Sequence, residues 1–89
     1  MKIGKTGELV DPTIFGISGR AIIEKMGPKR YCIVIDRKSR IIMADGRKIA
    51  ERAGKIKAAE PDAEVLLKTT APVCSRTLAF LAGLGIIPL

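Results

Sequence analysis

Residues 31 to 35 read Tyr31-Cys32-Ile33-Val34-Ile35, an apolar and largely β-branched run with Arg30 before it and Asp36-Arg37-Lys38-Ser39 after it. A run of this length and composition reads as a strand buried on both faces. Arg40-Ile41-Ile42-Met43 resumes the same character after four polar residues, and so short a connection predicts an antiparallel hairpin with the first run. Asp45-Gly46 then opens a helix to about Ala58, with Ile49, Ala50, Ala53 and Ile56 on one face and Arg47, Lys48, Glu51, Arg52 and Lys55 on the other.

Downstream, Glu60-Pro61-Asp62 breaks the chain and Ala63 to Thr69 reads as the next strand. Ala71-Pro72 punctuates again. A further helix is expected from about Cys74 to Leu84, ended by Gly85, with Ile86 to Leu89 as a short last strand. Upstream, Asp11-Pro12 is a helix opening, an acceptor side chain followed by a residue whose missing N–H costs nothing at the first helical position. The pattern Ile14, Ile17, Ala21, Ile22 predicts a helix from Pro12 to Met26. Gly16 and Gly19 weaken it by about 1 kcal/mol each, which leaves Ser18 as an alternative cap, and Gly27-Pro28 stops it. The first ten residues, with Gly4 and Gly7, read as a short strand or an irregular arm.

The expected fold class is therefore α/β, one domain over residues 1–89. It has a small single-layer sheet of about four strands, an antiparallel hairpin plus β-α-β crossovers, with two to three packed helices. A chain of 89 residues encloses one core, and 47% hydrophobic with 28% charged residues is an ordinary globular balance. No charged, apolar and small-residue succession resembles a signal peptide, and Gly83, Gly85 and Pro88 interrupt the apolar stretch from Thr77 to Leu89. The expectation is a cytoplasmic protein with no membrane partner.

The chain holds no His and no Trp, and neither Asn nor Gln occurs. Without histidine, His-assisted nucleophiles and His-ligated metals are excluded, so an enzyme here would be Cys-based. Cys32 and Cys74 have no C-x-x-C spacing, and neither a disulfide scaffold, a structural metal nor a cofactor is expected. The shortage of thermolabile amides beside many Lys and Arg matches the bias of heat-adapted proteins. Gly4-Lys5-Thr6 echoes the end of a phosphate-binding loop, but it lacks the glycine five residues earlier and a helix directly after.

Two loops at the carboxyl ends of the strands are candidate sites, because open α/β sheets bind ligands there. One is Met43-Ala44-Asp45-Gly46-Arg47; the other is Thr69 to Arg76. In the second, Cys74 falls at a helix N-terminus with Arg76 two residues on and the hydroxyls of Thr69, Thr70 and Ser75 nearby. The helix end and a guanidinium favour thiolate, a reactive form, and the same N–H groups suit a phosphate or carboxylate. The anion-binding candidates are Thr69, Thr70, Cys74, Ser75, Arg76, Asp45, Gly46 and Arg47. A lone cysteine in apolar surroundings is more often a small buried hydrophobe, and Cys32, mid-strand, reads so.

Charge is the other signal. Twelve basic residues against four acids between Arg20 and Lys57 give +8 there and leave −1 for the remainder of a chain whose net charge is +7. Arg37, Lys38, Arg40, Lys48, Arg52 and Lys55 form the expected basic surface, suited to a nucleic-acid backbone or an acidic protein. Such a face also serves solubility alone. With Phe15, Tyr31 and Phe80 as the aromatics, all in apolar contexts, base-stacking platforms are not expected. Three functions stay open: a non-catalytic binding module or complex subunit for an anionic partner, a thiol-dependent enzyme or redox protein using Cys74 with Arg76, and a structural subunit, open to homo-oligomer formation, with an apolar interface from Leu81 to Leu89.

Overall fold

The structure, a computed structural model, describes residues 8–88. Its order is β1 (Glu8–Val10), a single 3₁₀ turn (Pro12–Phe15), β2 (Ile22–Gly27), β3 (Arg30–Ile35), α1 (Met43–Ala59), β4 (Glu64–Thr69), α2 (Ser75–Gly83) and β5 (Ile87–Pro88). The five strands form one sheet in sequential order, antiparallel from β1 to β3 and parallel from β3 to β5. Helices α1 and α2 occupy the two β-α-β crossovers. The fold is mixed α/β, with one strand more than expected. Residues 1–7, including Gly4-Lys5-Thr6, and Leu89 lie outside the described residues, and of the expected N-terminal arm only Glu8–Val10 is described, as an edge strand.

The hairpin is present, but not where the sequence placed it. Tyr31–Ile35 pairs with β2 on one side and β4 on the other, so both its edges are taken and Arg40-Ile41-Ile42-Met43 has nowhere to pair with it. That segment contributes one parallel bridge, Ile41 with Val73, and Met43 already belongs to α1. The helix expected over Pro12–Met26 is likewise replaced. Asp11 caps as anticipated, accepting from Thr13 N at 3.0 Å, but the helical stretch is one turn, closed by Gly16 at φ +74°. A left-handed residue there redirects the chain, and Ile22-Ile23, β-branched, enter the sheet. Pro28-Lys29 makes the tight turn into β3, and the register slips by one residue between Lys25 and Gly27, a bulge beside the turn.

Residues paired across strands share a face. Ile23, Tyr31, Ile33, Val65 and Leu67 line the inner face, where they pack against Ile49, Ala53 and Ile56 of α1, Leu81 of α2, and Phe15 and Ile17. Phe15 meets Tyr31 edge to face, centroids 5.3 Å apart, and the Tyr31 hydroxyl donates to the Glu60 carboxylate beyond the end of α1. On the other face Cys32, Val34 and Leu66 form a smaller cluster with Met26, so β3 is indeed buried on both sides. Buried beside Cys32 is Glu24, with Lys68 Nζ 3.8 Å away. Of the C-terminal apolar stretch, Leu81 and Ile86 enter the core at 1% exposure each, while Leu84 and Ile87 remain at the surface.

The helices meet closely at one point. A Cβ on Gly46 would stand 2.6 Å from Thr77 Cγ2, so α1 needs glycine there for α2 to seat. This contact brings both helix N-termini to the same end of the sheet.

Candidate functional site

Of the two segments singled out by the sequence, Met43–Arg47 is the first turn of α1 rather than a loop; the residues leading into it, from Asp36 to Ile41, meet the Thr69–Arg76 loop at the carboxyl ends of β3 and β4. Ile41 N donates to Pro72 O and Cys74 N to Ile41 O, both at 2.9 Å. Thr70 Oγ1 donates to Asp36 Oδ1 at 2.9 Å, and Thr69 Oγ1 accepts from Ala71 N at 3.0 Å. Thr70 spends its single O–H within the loop, which corrects its reading as a ligand group, while Thr69 Oγ1 serves the loop as an acceptor. Gly46 is corrected too: it is buried beneath Thr77 and Phe80, and its N–H is spent on Ile42 O. Arg47, Ser75 and Arg76 are exposed.

At the start of α1, Ile42 stands at the cap position and has no side-chain acceptor to offer. Asp45 supplies the reverse contact, Oδ2 accepting from Ile42 N at 3.0 Å. Arg37 grips the same carboxylate with both terminal nitrogens, Nη1 to Oδ1 at 3.2 Å and Nη2 to Oδ2 at 2.5 Å. It also donates to Ser39 O and Arg40 O. A forked guanidinium thus ties the loop to the helix, and with Ile42 N it holds the Asp45 carboxyl below the ordinary carboxylate range.

Cys74 stands at the cap position of α2, partly exposed. Its thiol lies below the usual 9.0, first through the main-chain N–H groups of Thr77 and Arg76, with smaller help from the Thr77 hydroxyl and the charge of Arg40. The cation expected from sequence was Arg76, which instead contributes its backbone. Arg40 arrives from the other loop, brought by the Ile41–Val73 bridge, and no local pattern could announce that. Cys32 is the opposite case: fully buried, with its thiol pushed up to about 11 by burial and then by Glu24.

At the amino ends of the parallel strands Lys29 pairs with Asp62 and Arg30 with Glu64, at 3.2 and 3.3 Å. At the carboxyl ends, Arg37 is matched by Asp45, while Lys38, Arg40, Lys48, Arg52 and Arg76 form no ion pair among the described residues. Lys55, expected on the basic face, is turned to the backbone and donates to Gly16 O at 3.1 Å. Arg37, Asp45, Lys48 and Arg52 line a depression of about 210 Å³ together with Ile35 and Ile49.

These features define a small α/β domain with a basic end. No family model, curated protein or solved structure matches the chain, so the site itself carries the functional reading. No helix among the described residues is long and apolar enough to cross a membrane.

Proposed function

We propose that this protein binds a nucleic acid through its phosphate backbone, at the carboxyl ends of β3 and β4. The observation that carries the reading is the group of exposed cations at the carboxyl ends: Lys38, Arg40 and Arg76 form no ion pair among the described residues, whereas Lys29 and Arg30 at the amino ends are each paired across the sheet. Unpaired cations at the loop end raise the local concentration of a polyanion, and arginine forks suit phosphate oxygens. With no aromatic platform exposed there, binding follows the backbone rather than the bases.

The test is retardation of duplex and single-stranded RNA and DNA across a salt series. Affinity falls steeply with salt, and Arg40→Gln or Arg76→Gln each lowers the slope of log K against log salt by about one. Absence of binding at low salt refutes the reading, and binding to an acidic protein under the same conditions would redirect it.

The thiol at Cys74 favours a second reading, a thiol-dependent activity. Its support is the place of Cys74 at the cap of α2, partly exposed, with a thiol held below its usual value first by the Thr77 and Arg76 main chain and then by the charge of Arg40. Loss of nucleic-acid binding on alkylation of Cys74 would unite the two readings. Rapid alkylation with binding intact would favour the thiol function alone.

A further inference from the structure

We infer that the depression between the end of β3 and α1 is a site for a terminal phosphate, a phosphomonoester dianion, in preference to the internal diester of a nucleic-acid backbone. The inference rests on the polyanion reading above and adds a specific seat to it. Arg37 is the fixed member of the site. Of its five N–H donors, one on Nε goes to Ser39 O, one on Nη1 to Asp45 Oδ1, and the two on Nη2 to Arg40 O and Asp45 Oδ2, which leaves one on Nη1. A guanidinium held by four partners loses little freedom when it gives its last donor to a ligand.

Lys48 and Arg52 complete the seat. They stand one turn apart on the same side of α1, and both line the depression. Two like charges at this spacing repel, which costs the bare helix a little; an anion between them turns that repulsion into attraction. The balance of charge selects the kind of anion. Asp45 cancels Arg37, and its oxygens are already occupied by Arg37 and by Ile42 N. Lys48 and Arg52 remain. Two positive charges match a phosphomonoester, which carries about −1.5 to −2 at neutral pH, better than a diester with its single charge.

Size agrees with the chemistry. About 210 Å³ is below the roughly 300–1,000 Å³ of sites that enclose whole small molecules, so a phosphate head fits and a full nucleotide does not. Ile35 and the buried Ile49 complete its lining beside the charged groups. The larger depression at the opposite end, bounded by Lys29, Arg30, Asp62 and Glu64, has its cations neutralised in pairs and offers no such seat.

The experiment compares one short single-stranded oligonucleotide bearing a 5′-phosphate with the same strand ending in a 5′-hydroxyl, alongside inorganic phosphate as a thermal-shift probe. The phosphorylated strand should bind about tenfold more tightly, the scale of one or two charge-assisted hydrogen bonds. Lys48→Gln and Arg52→Gln should each reduce that preference severalfold without lowering the thermal midpoint in the absence of phosphate, since each relieves the like-charge repulsion on α1. Equal binding of the two strands overturns the terminal-phosphate site and leaves the backbone reading standing. If neither strand binds, the backbone reading fails, and inorganic phosphate decides the site: stabilisation lost in Lys48→Gln supports it, and no stabilisation of the wild type overturns it.

Discussion

Gly46→Ala is the sharpest probe of how this end of the molecule is assembled. The added methyl would sit 2.6 Å from Thr77 Cγ2 and 3.7 Å from Phe80 Cδ2, against a comfortable carbon–carbon separation of about 3.5–4.0 Å. The deficit of roughly 1 Å against Thr77 must be met by moving α2 or by turning a β-branched side chain out of its preferred rotamer. Overpacking of this kind costs about 1–3 kcal/mol, while alanine returns about 1 kcal/mol of helix propensity. The expected net loss is about 1 kcal/mol, or about 4–8 °C in the thermal midpoint of a domain this size. Thr77→Ser removes the opposing methyl and alone should cost about 1 kcal/mol. In the double variant the alanine methyl fills the vacated space, so stability should return close to wild type, with a favourable coupling of about 1–2 kcal/mol. Gly54→Ala, on the exposed side of the same helix with nothing within 4 Å of the new Cβ, should instead stabilise by up to about 1 kcal/mol. Urea denaturation with a shared m-value reads all four proteins. A Gly46→Ala variant as stable as wild type, or strictly additive costs in the double variant, would refute the close seating of α1 on α2.

Asp45→Asn weakens the Arg37 fork and should cost about 1 kcal/mol, since both side chains are partly exposed. The folded pKa of Asp45 lies below its ordinary 3.8, so this contribution is complete above that value and is lost as pH falls through the folded pKa; wild type and variant should converge in acid denaturation curves. Native protein treated with iodoacetamide near neutral pH should be modified at Cys74 alone, with Cys32 reacting only after unfolding; mass mapping of the adducts checks this, and early labelling of Cys32 would contradict its burial. Tyr31, the sole tyrosine in a chain without tryptophan, should ionise above its ordinary 10.0, because its proton is held first by the bond to Glu60 and then by burial. That bond stabilises the fold below the ordinary value and loses its effect as alkaline pH passes through the raised pKa, so Tyr31→Phe should cost about 1 kcal/mol near neutrality; absorbance titration and denaturation of the variant test both statements.

The candidate site is half legible in the sequence. The loop from Thr69 to Arg76 stands out because a strand, a proline and an amphipathic stretch in succession place a helix start after a strand end. The basic face is visible as a count of charges. The role of each group is not. Thr69 and Thr70 carry hydroxyls that suit an anion equally well in sequence, and only the fold shows that Thr70 donates its proton to Asp36. Arg37 reads as one cation of a solvated turn, whereas two of its donors hold Asp45 at the start of α1 and two hold the carbonyls of Ser39 and Arg40.

What the sequence determined by itself are the elements whose signal is local: β3, α1, β4, α2 and the short last strand, each set by a run of side chains with the period of its backbone and bounded by glycine, proline or charge. What only the tertiary structure decided is partnership. Ile22–Gly27 carries apolar spacing compatible with a helix until Gly16 turns the chain and the edge of β3 stands open to receive a strand. Once that edge is taken, Arg40–Met43, as β-branched as many strands, has no ladder to join and becomes the bridge that carries Arg40 to Cys74. Hydrogen-bonding edges are a finite resource shared among segments far apart in sequence, and the competition for them is settled by the whole sheet rather than by any window of residues.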